Sequence, residues 1–403
     1  MSQGKESRKG IETIAVHGGE GVDPVTRASA PNLVMSATFA PEAVTGFSAR
    51  NRMGYEGFIY ARQSNPTVKQ LEEKLAALEG GEAAQAFGSG MAASHALLAG
   101  RLSQGDHLII SDSNYVGTAE LVRDSLPRFG IEVSLVDTSE LSLIETAIRP
   151  QTRMVWVETP ANPIMRLSDI EAVSRLAHGK GVRDVVVDST FATPIATRPL
   201  ELGADFVVHS LTKYIGGHGD AMGGAVIGRK ADLDELNLEA TVHYGGVLSP
   251  FNAWLILRGA ATLPLRMRAH EENALKVAKH LEGHRGIKRV IYPGLASHPQ
   301  HDLARKQMGN FSGMMTFQTE DDGGKIAERM IERFEVIHYA VSLGHHRSLV
   351  YWIPTEQLMR SSFKLKGDAL KRYRDFAGDG VFRFSAGIET AEDLCADLDK
   401  VLT

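Results

Sequence analysis

The chain has 403 residues, 43% hydrophobic and 23% charged, with a formal net charge of −5. This is an ordinary globular composition, large enough for more than one domain and without overall attraction for nucleic acid or acidic membranes. The single cysteine, Cys395, excludes an intrachain disulfide and a cysteine-based metal cluster and suits a reducing compartment. The polar segment Met1–Gly10 lacks an apolar secretory core and no run reaches membrane-spanning length, so the expected location is the cytoplasm.

Residues 1–60 read as an irregular arm rich in Gly, Pro and Ser. At its end Arg62 offers bidentate donors for a phosphate and Tyr60 a hydroxyl, although a solvated arginine is the commoner fate of a lone Arg. From residue 61 onward helix-like and strand-like segments alternate, the pattern of a mainly parallel α/β sheet. Asn65-Pro66-Thr67 begins a helix: Asn65 caps, Pro66 fits the first helical position, and Leu71, Leu75 and Leu78 share a face before Gly80-Gly81 ends it. Ser89, Gly90 and Met91 open an Ala/Leu-rich helix whose N-terminal N–H groups suit an anion. The spacing matches neither a P-loop nor a dinucleotide fingerprint, and tight strand-to-helix packing is the alternative. Tyr115, before Val116-Gly117, could stack on an aromatic cofactor or simply pack.

Four compact strands are expected at His107–Ile110, Met154–Val157, Val185–Val187 and Phe206–Val208. Glu158, Asp188 and the Ser210–Lys213 cluster lie just past their ends, where open α/β sheets bind ligands. A carboxylate such as Asp188 can keep a pyridinium nitrogen protonated, or merely cap a helix. Lys213 stands among hydroxyls and glycines, placed to form a Schiff base with an aldehyde cofactor, with Ser210 and Thr212 to hydrogen-bond a phosphate. After about residue 260 the pattern changes to a smaller C-terminal α+β domain, which divides the chain into 1–60, 61–260 and 261–403. There Arg383 alternates with Phe382 and Phe384 as in a strand, placed to clamp a carboxylate or to face outward.

Taken in order, Tyr60–Thr67, Ser89–Ala93, Tyr115–Thr118, Glu158–Pro163, Asp188–Phe191, Ser210–Asp220, Pro250–Met267, Tyr292–His301 and Arg383–Glu389 resemble the pyridoxal-phosphate enzymes of cysteine and methionine metabolism. That group includes cystathionine gamma-synthase, the cystathionine lyases, homoserine sulfhydrylases and methionine gamma-lyase. The resemblance implies the type I fold of PLP-dependent transferases, with an arm, a mostly parallel seven-stranded sheet and a small C-terminal domain. It implies that Lys213 bonds the cofactor and shuttles protons, Asp188 pairs with the ring nitrogen, and Tyr115 stacks on the ring and assists proton transfer. Ser89, Gly90, Met91, Ser210 and Thr212 would hold the phosphate, with Tyr60 and Arg62 reaching that of a neighbouring subunit in a dimer or, more usually, a homotetramer. Arg383, Asn162 and Ser342 would hold the substrate carboxylate.

The chain departs from the family's usual pattern at Ser189, where Asn is common, and at Arg347, where cystathionine-processing members often carry Glu. The segment Val350–Arg360, which in the family borders the substrate side chain, is also unusual. Two acidic residues, Glu56 and Glu356, could pair with a basic leaving group, or be solvated loop glutamates. Adjacent His345 and His346 point different ways and do not form a metal site. The expected activity is γ-elimination from a γ-substituted L-amino acid, methionine-like or canavanine-like. The alternative is γ-replacement, as in an O-acyl-homoserine sulfhydrylase or cystathionine gamma-synthase.

Overall fold

The computed structural model describes residues 9–50 and 57–402. Seven strands form the larger sheet: β1 (Ala83–Phe87), β2 (His107–Ser111), β3 (Glu132–Val136), β4 (Thr152–Glu158), β5 (Asp184–Asp188), β6 (Phe206–Ser210) and β7 (Gly224–Gly228). Their spatial order is β1-β7-β6-β5-β4-β2-β3. Strand β7 runs antiparallel to β1 and β6, and every other pairing is parallel.

The four expected strands are β2, β4, β5 and β6, and their unbroken apolar runs follow from burial on both faces. With period two, Leu108, Ile110, Trp156, Val186 and Phe206 join one core with Ala93, Ala96 and Leu97 of the helix Gly90–Arg101. Ile109, Val155, Val157, Val185 and Val187 face the other way, against Ile170, Val173 and Ala177 of the helix Ile170–Gly179. The chemistry-bearing ends of β4, β5 and β6 therefore emerge along one edge.

The helix Pro66–Glu79 is built as its sequence predicts. Asn65 Oδ1 accepts from the N–H groups of Thr67 (2.9 Å) and Val68 (3.4 Å), and Gly80 closes the helix at φ +73°. Asn65 Nδ2 also donates to the Val34 carbonyl at 2.9 Å, which ties the arm to the helix start. Within the arm the structure corrects one expectation, because Ile11–His17 is helical. Only Ala15 of it is buried, so the segment carries little periodic signal; the buried Lys74 amine holds it, donating to the Ala15 carbonyl at 2.5 Å and pairing with Glu20 at 2.7 Å.

A second, smaller sheet follows: β8 (Ile287–Ile291), β9 (Met314–Thr319), β10 (His338–Tyr339), β11 (Leu349–Pro354) and β12 (Gly380–Ser385), ordered β10-β11-β12-β9-β8. One helix, Leu263–Glu282, serves both halves. Leu263 and Met267 pack into the core beside β6 and β7, whereas Ala274, Val277, Ala278 and Leu281 pack beneath the second sheet. Among the described residues no helix is long and apolar enough to cross a membrane.

Asn65→Ala removes two N-terminal hydrogen bonds and the tether to Val34, and is expected to cost about 1 kcal/mol of stability. A urea-denaturation midpoint unchanged by the substitution would remove the cap from this account.

Candidate active site

A cavity of about 680 Å³ opens where the carboxyl ends of β4, β5 and β6 face β11 and β12. Of the residues expected to build a site, Ser89, Gly90, Met91, Tyr115, Asn162, Asp188, Ser210, Thr212, Lys213, Ser342 and Arg383 all line it.

Lys213 sits in the turn after β6, its N–H bonded to the Ser210 carbonyl at 3.1 Å. Arg266 locks the next residues, donating to the carbonyls of Tyr214 (2.6 Å), Ile215 (3.3 Å) and Gly259 (2.6 Å). Gly217 is required there: at φ +72° a Cβ would lie 2.1 Å from the Arg266 guanidinium. Lys213 Nζ donates to Ser342 Oγ at 2.8 Å. Burial, and then the Arg383 cation, bring the Lys213 amine down to about 8, within reach of its neutral, nucleophilic form.

Beside it lies an anion cradle. Ser89 Oγ caps the helix Gly90–Arg101 by accepting from the Ala92 N–H at 3.1 Å. That leaves the N–H groups of Gly90 and Met91 at the positive end of the helix. A Cβ on Gly90 would come within 2.9 Å of the Ser210 Cβ, so glycine opens the space in which a phosphate would rest. Thr212 Oγ1 bridges the Gly223 N–H (3.1 Å) and carbonyl (3.3 Å), which fixes its hydroxyl at the rim.

Asp188 and Glu158 are direct partners across β5 and β4. Asp188 Oδ1 accepts from the Thr190 N–H at 3.0 Å, and burial raises its pKa against the lowering effects of Thr190 and His209. Burial and then the Asp188 charge push Glu158 well above the ordinary carboxylate range. A protonated ring nitrogen beside Asp188 would restore its ionised form.

The sequence placed Glu158 at the ligand-binding ends of the strands without a specific role, and in the structure it organises the substrate side of the site. Its two carboxyl oxygens accept from the backbone N–H groups of Tyr115 (2.7 Å) and Asn162 (2.8 Å). The available signal was an acid immediately after an apolar strand. The Tyr115 ring lies over Gly117, where a Cβ would come within 2.7 Å of Tyr115 Cε1. Arg383 takes the inward of its two alternatives: Phe382 and Phe384 pack into the smaller core and its guanidinium faces the cavity. It donates to Asn162 Oδ1 at 3.1 Å and to the Ser342 carbonyl at 3.2 Å, and burial lowers its pKa to about 10. A lysine, a carboxylate, an anion cradle and a buried guanidinium in one cavity are the donor set that an aldehyde phosphate cofactor and an amino-acid carboxylate require.

Three expected residues lie elsewhere. Tyr60 is exposed and Arg62 donates to the Val242 carbonyl, both outside this chain's own cavity. The assignment of Glu356 to the substrate is corrected. Its exposed carboxylate pairs with Arg360 one turn along at 2.9 Å, while its neighbours Gln357 and Leu358 face the cavity instead. Glu56 lies outside the described residues.

A family model described as Cys/Met metabolism PLP-dependent enzyme matches residues 12–403. The chain is 41% identical to a canavanine gamma-lyase of Pseudomonas canavaninivorans, covering 97% of this chain and 95% of that protein. It is 40% identical to an L-methionine gamma-lyase of Fusobacterium nucleatum subsp. polymorphum, covering 98% and 99%. A cystathionine gamma-synthase of Mycobacterium bovis is also 40% identical, with both chains fully covered. Among solved structures, metB from Corynebacterium glutamicum superposes with a TM-score of 0.87 at 37% identity, covering 98% of each chain.

In the cofactor-free protein, acylation of Lys213 followed by peptide mass spectrometry is expected to reach half its maximal rate near pH 8. A half-maximum at the ordinary lysine value would show that burial does not act as argued.

Proposed function

The chain belongs to the PLP-dependent enzymes of cysteine and methionine metabolism, and on that premise we propose that it expels the γ-substituent of an L-amino acid. The observation that carries this reading is the lowered-pKa Lys213 amine held between the Asp188 side of the cavity and the Arg383 guanidinium.

When bound, the cofactor supplies an electron sink that acidifies the substrate's α and β hydrogens. The N–H groups of Gly90 and Met91, with Ser89, Ser210 and Thr212, would hold its phosphate, and Asp188 would hold the proton on its ring nitrogen. Arg383 and Asn162 orient the substrate carboxylate, assisted by Ser342. Lys213 Nζ takes the proton from Cα and, once it has given that proton up and is neutral again, takes one from Cβ, while the Tyr115 hydroxyl protonates the departing γ-group.

Elimination is favoured over formation of cystathionine by the supply of cations. Among the described cavity residues these are Lys213 and Arg383, and both are committed to the first amino acid. A second amino acid arriving as nucleophile would find no other cation there for its carboxylate. Beyond the clamp, Val116, Tyr351, Trp352, Ile353, Pro354 and Leu358 form a largely apolar wall, which supports a neutral, methionine-like γ-substituent. The exposed Tyr60 and Arg62, turned away from their own cavity, support an assembly in which they complete a neighbouring copy's phosphate site, with a homotetramer as the expected state. The single-cysteine composition supports a cytoplasmic location.

Proton NMR of the holoenzyme with methionine, cystathionine, O-acetylhomoserine or canavanine tests the reading. Methionine consumed without added thiol, giving 2-oxobutyrate, is the expected result; turnover only with thiol present would make the enzyme a γ-replacement catalyst. Arg383→Lys is expected to raise KM about tenfold or more, the loss of a bidentate charge-assisted contact worth ~1.4 kcal/mol or above. An unchanged KM would place the substrate carboxylate elsewhere.

A further inference from the structure

We propose that His345 is the outer member of a proton relay, Lys213–Ser342–His345, through which the active-site amine exchanges its proton with solvent. The inference builds on the role given to Lys213 above.

Ser342 is a non-glycine residue at φ +84°, a left-handed backbone that costs a serine on the order of 1–2 kcal/mol. That conformation sets its Oγ 2.8 Å from Lys213 Nζ while its carbonyl receives Arg383. The same Oγ lies 3.5 Å from His345 Nε2. This is the outer limit of a hydrogen bond and the kind of spacing that tightens when a catalytic site fills. Gly219, at φ +74°, also packs closely against the imidazole: a Cβ there would fall 2.6 Å from His345 Cε1. Gly344 presses the loop onto the Lys213 turn so closely that a Cβ, which would lie 2.6 Å from the Tyr214 nitrogen, has no room, and the Gly344 N–H donates to Ser385 Oγ at 2.9 Å.

The groups around the ring come from both elements. Lys213 and Asp220 lie on the turn after β6, together with His218, whose ring is 5.7 Å from that of His346; His346 and Arg347 lie on the loop of His345 itself. Burial first, then Lys213 and the other cations, lower the His345 pKa against the raising effect of Asp220, so the ring is neutral at neutral pH with a lone pair to offer. In the relay, protonated Lys213 Nζ passes a proton to Ser342 Oγ as the serine hydroxyl proton moves to His345 Nε2. The half-buried ring then releases its Nδ1 proton to water, so that one proton leaves and no heavy-atom bond changes. Among the described residues no group of three or more His, Cys, Asp or Glu is arranged to hold a metal ion.

The test uses holoenzyme carrying His345→Gln or His345→Ala and needs no substrate for its first readout. After a rapid pH jump, the absorbance of the bound cofactor is expected to relax on the order of tenfold more slowly in both variants. Added imidazole is expected to restore the His345→Ala protein. With substrate, kcat is expected to fall on the order of tenfold to a hundredfold, with KM nearly unchanged. Wild-type relaxation and kcat in both variants would overturn the relay. Slowing that imidazole fails to rescue, accompanied by a lower thermal midpoint, would overturn it too, by assigning His345 a structural role. Because the relaxation is read without substrate, its failure is distinct from failure of the γ-elimination reading, which is decided by products.

Discussion

A buried lysine amine placed near two carboxylates would ordinarily be held protonated, and a protonated lysine can neither bond an aldehyde nor accept a proton. The cavity avoids this by directing the carboxylates elsewhere. Both Glu158 oxygens are taken by the N–H groups of Tyr115 and Asn162, and Asp188 is turned toward Thr190. What faces Lys213 instead is a serine hydroxyl and a guanidinium, so burial and like charge act in the same direction and lower its pKa. The rest of the site can be read as the means of maintaining that separation of charges.

Maintaining it requires a fixed relation between two sheets, because Asp188 and Lys213 belong to the larger one and Ser342 and Arg383 to the smaller. The helix Leu263–Glu282 supplies the relation by burying one end in each core. Arg266, on the same helix, ties the Lys213 turn to it through the carbonyls of Tyr214 and Ile215. Close-packed interiors transmit small displacements rather than absorb them. A shift of this helix would therefore lengthen the Lys213–Ser342 contact and the Arg383 bonds together. The geometry of the amine and that of the carboxylate clamp are set by one structural member.

The parts legible in the sequence were those whose chemistry is local. The strands β2, β4, β5 and β6 are continuous apolar runs, and Asn65-Pro66 carries its own cap, so each was visible without its surroundings. Strand β1 is mostly alanine, β3 is an edge strand only partly buried, and β7 is bounded by glycines; their strand character comes from neighbours, and none stands out alone. The same distinction runs through the site. Lys213 and Asp188 were readable from their positions after strands. Glu158 acts through the backbone N–H groups of Asn162, four residues on, and of the distant Tyr115, and the orientation of Arg383 depended on which face of β12 met a core. Glu356 misled because an acid near a substrate loop has the right charge, whereas its direction is set by the helix register that gives it to Arg360.

That register bears on the leaving group. A guanidinium entering the cavity would shed water at a cost of several kcal/mol, which a protein recovers only with a well-placed acid. The acids lining the cavity among the described residues are Glu158 and Asp188, both deep and both occupied. The aromatic faces of Tyr351 and Trp352 offer a cation–π contact worth about 0.5–2 kcal/mol, which does not cover that cost. A thioether asks for nothing but apolar surface and gains from Val116, Ile353 and Leu358. The balance of desolvation against contact therefore argues for a neutral γ-substituent. It does so on the same ground that keeps Lys213 active: the cavity's charges are already committed to one another and to the amino-acid end of the substrate.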